Sequence, residues 1–292
     1  MDQFYSEKDK KLVEKELVKL NEMYHSLEET YGEKSEEVLL KHFIKNSKLL
    51  ENKHLIRALA EKQTYSKILT YAIENIPSVK TMFYEDNKNI AMISLLNGNI
   101  DVALNASQIE EFCTHQDING YNLGMWATII GEEELAIETM KHKKTLNQLD
   151  HDGCNIGIVA TIFERDKVAM KSLENPLSAV QQDKDGFNLL MWAVAGGNPR
   201  LNDVIKEGLN KFPVLGTQQN KLGHNVYNLM SFKLDYFNKK KYIHICAMPK
   251  LVEASHSSFN YDNYSYSLKK SLRQELLEKV HSFSNDQNGL EK

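Results

Sequence analysis

Apolar residues near the start of the chain recur at helical spacing. Val13, Leu17, Leu20, Tyr24 and Leu27 step by 4, 3, 4 and 3, which lays them along one narrow stripe. The spacing predicts a helix from Ser6 to about Tyr31. Ser6 with Asp9 forms a capping-box-like start, and Gly32 ends the element. Ser35 opens a second helix carrying Val38, Leu39, Phe43, Ile44, Leu49 and Leu50, so a helical hairpin closed on its own seam is expected. Too few heptads are present for a dimerising coiled coil. From Leu55 to Ile76 the pattern stays helical, and Pro77 stops it.

Downstream, one pattern of turn and apolar run is repeated. The frames Asp117-Ile-Asn-Gly120-Tyr-Asn122, Asp150-His-Asp-Gly153-Cys-Asn155 and Asp183-Lys-Asp-Gly186-Phe-Asn188 place their glycines 33 residues apart. A looser copy, Asn220-Lys-Leu-Gly223-His-Asn225, comes after 37. An apolar run succeeds each asparagine of the first three, ending at Ala127, Ala160 and Ala193. An earlier unit aligns on Asn89, 33 residues before Asn122. A fixed period of this length is the mark of stacked repeats.

Five units are expected between about Pro77 and Asn238, and Leu55–Ile76 reads as a worn first repeat. Beyond the array the period is lost. Tyr242 to Val252 is apolar enough for an element, Ser255 to Ser267 reads as a surface loop, and Leu268, Leu272, Leu276, Leu277 and Val280 predict a final helix. The expected organisation is an N-terminal helical cap over 1–76, a repeat array over 77–238, and a C-terminal helical cap and tail over 239–292.

The units resemble the ankyrin repeat, Asp-x-x-Gly-x-Thr-Pro-Leu-His-x-Ala-Ala-x-x-Gly. The best copy carries Asp183, Gly186, Asn188, Leu190, Ala193, Val194 and Gly197. Asparagine replaces Thr at 89, 122, 155, 188 and 225, Met or Ile replaces His at 92, 125, 158 and 191, and the motif's Pro is absent. The resemblance implies an all-α fold, an α-solenoid built as an ankyrin-repeat stack with helical caps at both ends. In the family, Thr and His share a hydrogen bond at each corner; without it, these corners are expected to rely on packing. Trp126 and Trp192 stand at the family's buried leucine position and read as core.

The resemblance also implies a non-enzymatic protein–protein interaction module that holds a protein or peptide on a concave groove. The register assigns to that groove Ile118, Asn119, Tyr121, Ile129, Ile130, His151, Asp152, Ile162, Phe163, Lys184, Asp185 and Phe187. Glu164 stands where a glycine would be. The apolar members are expected to anchor a partner, so that replacing Tyr121 and Phe163 by Ala would leave folding intact and abolish capture. The competing expectation is that the terminal helices cover this face. Degenerate units and a Lys/Asn-rich composition are similar to effectors of intracellular bacterial pathogens.

Composition narrows the alternatives. With 36 Lys and Arg against 40 Asp and Glu, net charge is −4, which gives no broad cationic field for nucleic acid. No run reaches the roughly 18 apolar residues of a membrane span, and the N-terminus lacks an apolar signal-peptide core. Three scattered cysteines, Cys113, Cys154 and Cys246, suit a reducing compartment and contain no Cys-x-x-Cys pair. A cytoplasmic location is expected, the protein's own or a host's. The histidines show no i, i+4 ligand pairing, and no phosphate-binding or nucleophile-elbow motif occurs. Cys113 and His115 are too close in sequence to make a nucleophile and base. No catalytic residue, metal or cofactor is assigned; an enzyme with its site in the terminal helices is the alternative reading.

Overall fold

The structure, a computed structural model, describes residues 7–230. The expected C-terminal cap, including the helix from Ser267, lies outside the described residues, as do residues 231–238 of the array. The chain divides into two compact units, Met1–Leu123 and Gly124–Lys292.

Unit one contains α1 (Glu7–Tyr31), α2 (Ser35–Lys45), α3 (Lys53–Ala60), α4 (Ser66–Asn75), α5 (Ile90–Leu96), α6 (Ile100–Ala106) and α7 (Glu110–Thr114). Helix α1 packs on both α2 and α3. Leu20 of the sequence stripe is buried, and Tyr24 meets the Tyr65 ring edge-on at 6.0 Å. The Tyr65 hydroxyl pairs with Asn21 at 3.1 Å. Burial, with Tyr24 adding a smaller contribution, pushes its pKa up to about 12. Gly32 ends α1 in the left-handed conformation that glycine alone adopts without strain. Leu49 and Leu50, assigned to the second helix from sequence, lie instead in a short 3-10 turn after α2 has ended at Lys45.

Unit two contains α8 (Leu123–Ile130, whose first residue closes unit one), α9 (Glu133–Thr139), α10 (Lys143–Asn147), α11 (Ile156–Ile162), α12 (Asp166–Ser172) and α13 (Pro176–Ala179). It continues with α14 (Leu189–Gly196), α15 (Asn202–Lys211), α16 (Val214–Thr217) and helical residues 226–230. In both units the rhythm is a buried first helix, an amphipathic second helix and a short third helix leading into the next loop. The pair α3 and α4 keeps to it too, ending on a 3-10 turn at Pro77–Thr81. No strand occurs among the described residues.

The asparagine that replaces the motif's Thr uses both ends of its amide. Asn155 Oδ1 accepts the Ile158 N–H at 2.9 Å, capping α11. Its Nδ2 donates 2.8 Å to the carbonyl of Ser178 at the end of the short third helix. Asn89 does the same with the Met92 N–H and the Phe112 carbonyl, and Asn188 with the Met191 N–H and the Leu215 carbonyl. The expectation that these corners rely on packing alone is therefore corrected. Thr has only one short hydroxyl for both roles, whereas a carboxamide carries a separate acceptor and donor that reach two partners at once.

Close approach of first and second helices is secured by small residues. A Cβ on Gly124 would overlap Thr139, and one on Gly157 would overlap Ser172. In the next repeat the sizes are exchanged, Leu190 filling the space that Gly208 leaves. A second contact links successive repeats. Arg165 sends Nε 3.2 Å to the carbonyl of Thr128, near the end of α8, where four carbonyls lack intrahelical partners. Burial lowers its pKa while Glu133 and Glu164 oppose that shift.

These contacts set two expected changes in stability. Asn155→Ala removes a cap and a buried hydrogen bond, each worth about 1 kcal/mol. A loss of roughly 2–3 kcal/mol is expected in urea titrations, given the bare carbonyl left behind. Ser94 is buried at the position equivalent to Ala127 and Ala160, and its Oγ has no hydrogen-bond partner among the described residues. Ser94→Ala should raise stability by about 1 kcal/mol, read as a higher Tm.

Candidate functional site

Four of the hairpin loops are each built around one side-chain acceptor, Asp117, Asp150, Asp183 or Asn220. Asp150 Oδ1 takes the N–H groups of Asp152 at 2.8 Å and Cys154 at 2.9 Å. Asp183 Oδ1 takes those of Asp185 and Phe187, both at 2.9 Å. Asp117 does the same for Asn119 and Tyr121, and Asn220 for Leu222 and His224. The Asp N–H in turn donates to the carbonyl of the residue after the glycine, as from Asp183 to Phe187. These bonds hold the two intervening residues outward as a tip.

Adjacent tips are joined through the backbone. In unit two the Lys184 N–H donates to the Asp152 carbonyl, and the Lys221 N–H to the Asp185 carbonyl, both at 2.9 Å. In unit one the Ile118 N–H donates 2.8 Å to the Asp86 carbonyl. There Asn87 stands at the glycine position with φ 60°, and Lys88, 2% exposed, comes next with its ammonium 3.2 Å from Asp86. Within each unit the tips so joined are thus held in register.

The twelve residues assigned from sequence separate into two sets. His151 and Lys184 are exposed, Asp152, Asp185, Asn119 and Ile130 are half-buried, and Ile118 is 51% exposed. Tyr121, Ile129, Ile162, Phe163 and Phe187 are all below 5% exposure, so the expectation that they line an open face is corrected. For Tyr121 and Phe187 the cause is the loop itself. Both backbone groups of the residue after the glycine are bound to the Asp, which turns its side chain inward. Phe187 stacks on Trp192 at 4.7 Å, and the Trp192 indole N–H donates 3.0 Å to Asp183 Oδ2. Ile129 lies three residues after Trp126, and Ile162 and Phe163 lie three and four after Val159. They therefore extend the buried side of their helices.

Glu164 occupies a glycine's place in conformation as well as in sequence. Its φ is 58°, against 102° at Gly131 and 75° at Gly197. Its carboxylate accepts 2.6 Å from Asn198 Nδ2, which offsets part of the left-handed strain.

The side chains with reactive chemistry are engaged in structure. Cys113 is fully buried with Sγ 3.2 Å from the Ser107 carbonyl. The His115 ring lies flat against Phe83, 4.1 Å between centroids, with Nε2 on the Asn87 carbonyl. Cys154 is buried, and Cys246 lies outside the described residues. Among the described residues no group of His, Cys, Asp or Glu is placed to hold a metal ion. No helix among them is long and apolar enough to cross a membrane.

No family model and no curated protein matches this sequence. Among solved structures, the crystal structure of EF0377, an ankyrin repeat protein, aligns with a TM-score of 0.51 at 17% identity. That alignment covers 59% of this chain and 87% of the other. The likeness establishes the fold as an all-α, ankyrin-like repeat solenoid.

Burial changes what a substitution reports. Phe163→Ala should cost about 3–5 kcal/mol of stability, as for other buried Phe truncations. A chemical melt checks this, and an unchanged midpoint would show that the side chain is not packed in the core.

Proposed function

We propose that this chain is a non-enzymatic interaction module that holds a protein or peptide partner on the hairpin tips of unit two. The observation that carries this reading is the division of labour within each loop. The Asp, the residue after the glycine and the asparagine cap are consumed by internal bonds, while His151, Lys184 and Lys221 are left exposed at the edge. Backbone bonds between tips fix their register before any partner arrives, which lowers the ordering cost of binding. The ankyrin-like fold is consistent with a scaffold role. No broad cationic field recommends nucleic acid as the ligand. The Lys/Asn-rich composition alone supports the further idea of an effector acting in a host cytoplasm. Imaging the protein in infected-cell cytosol tests that part separately.

The test of the module itself is affinity capture with wild type and a His151→Ala/Lys184→Ala/Lys221→Ala variant, all three residues being exposed. Loss of at least tenfold of the captured partner, with Tm unchanged within about 2 °C, is expected for surface substitutions of this kind. Equal capture by both proteins would remove the reading.

A further inference from the structure

The tips of unit two carry two rows of unlike accessibility. The residue directly after the loop's Asp or Asn is His151, Lys184 and Lys221 in successive repeats, and all three are exposed. The next residue is Asp152, Asp185 and Leu222. The two aspartates are half-buried, and each has a further interaction besides its backbone bonds. By contrast, among the described residues no hydrogen bond or ion pair engages the side chains of His151, Lys184 or Lys221. The charge left free at this edge is cationic, although the chain as a whole is slightly acidic. Leu222, 39% exposed, adds an apolar surface beside Lys221.

We propose that this row takes an extended acidic peptide segment whose carboxylates fall at every third residue. The inference rests on the interaction-module reading and names the chemistry of its partner. The period comes from the register. Neighbouring helices pack about 8–10 Å apart, and the direct bonds from Lys184 to Asp152 and from Lys221 to Asp185 hold the tips to the repeat spacing. An extended chain in the polyproline II conformation has three residues per turn and rises about 3.1 Å per residue, so every third side chain falls on one face about one repeat apart. An α-helical segment advances only about 4.5 Å over three residues, half the repeat spacing, so its acids at this interval would fall out of step with the row. Exposed charge pairs are individually weak and screened by salt, so recognition depends on matching several at once.

The experiment uses the full chain and a fluorescein-labelled peptide with Glu at every third position in a Ser/Thr background. Controls carry the same number of Glu in one block, or Lys in place of Glu. Anisotropy at about 50 mM salt, where surface charges are weakly screened, should show the spaced peptide binding more tightly than either control. Lys184→Glu/Lys221→Glu should weaken it about tenfold while leaving the circular dichroism melt unchanged. Equal binding of the spaced and block peptides, binding of the Lys peptide, or indifference to the double variant would overturn the acidic-segment inference. A tip-dependent protein partner found by affinity capture, with no binding of the spaced peptide, would sink this inference alone. Capture that ignores the tips would sink the module reading as well.

Discussion

Short helices leave most of their backbone polar groups without intrahelical partners, and a stack of them must satisfy those groups inside a dry core. A first helix of seven residues such as α11 has four N–H groups and four carbonyls without intrahelical partners. The asparagine before it addresses this constraint twice. One end of its amide caps the helix, and the other closes off the carbonyl of the short third helix, 23 residues further along the chain. Because both bonds are buried, an apolar residue there would leave a carbonyl and an N–H without partners, at a cost in stability.

The hairpin loops obey the same rule by a different device. One carboxylate oxygen, or one amide oxygen at Asn220, takes two loop N–H groups, and the loop's ends pair with each other through the backbone. A turn closed this way has a fixed inside and outside. The Asp-containing loops put the residue after the glycine in the core and the two residues before it at the surface. Among the described residues the exposed side chains of His151, Lys184 and Lys221 carry none of the hydrogen bonds that close their loops.

Departures from the repeat pattern are compensated locally. Glu164 accepts a left-handed backbone where other copies have glycine, and its carboxylate is used by Asn198. Leu190 is too large for the first-to-second helix contact of the earlier copies, and Gly208 on the longer α15 makes room for it. Arg165 stands at the start of α12 and supplies the partner that the end of α8 lacks. Each is an exchange of size or polarity between two residues in adjacent elements, which keeps the array in register despite degenerate units.

The sequence by itself determined the period, the positions of the turns, the helix starts and the burial of Trp126 and Trp192. These come from local chemistry: glycine's backbone freedom, asparagine's capping oxygen and apolar spacing. It also held the clue that misled the site assignment, since large apolar residues such as Tyr121 and Phe163 at nominally open positions are better explained by burial than by an unfilled groove. Only the tertiary structure decided which way those side chains turn. Tyr121 is turned inward by the two bonds its backbone makes with Asp117, and Phe163 extends the buried side of α11. The second bond of each asparagine and the tip-to-tip register were likewise decided only by the tertiary structure. Both are made between segments far apart in the chain, and a pattern read along one short stretch cannot contain them.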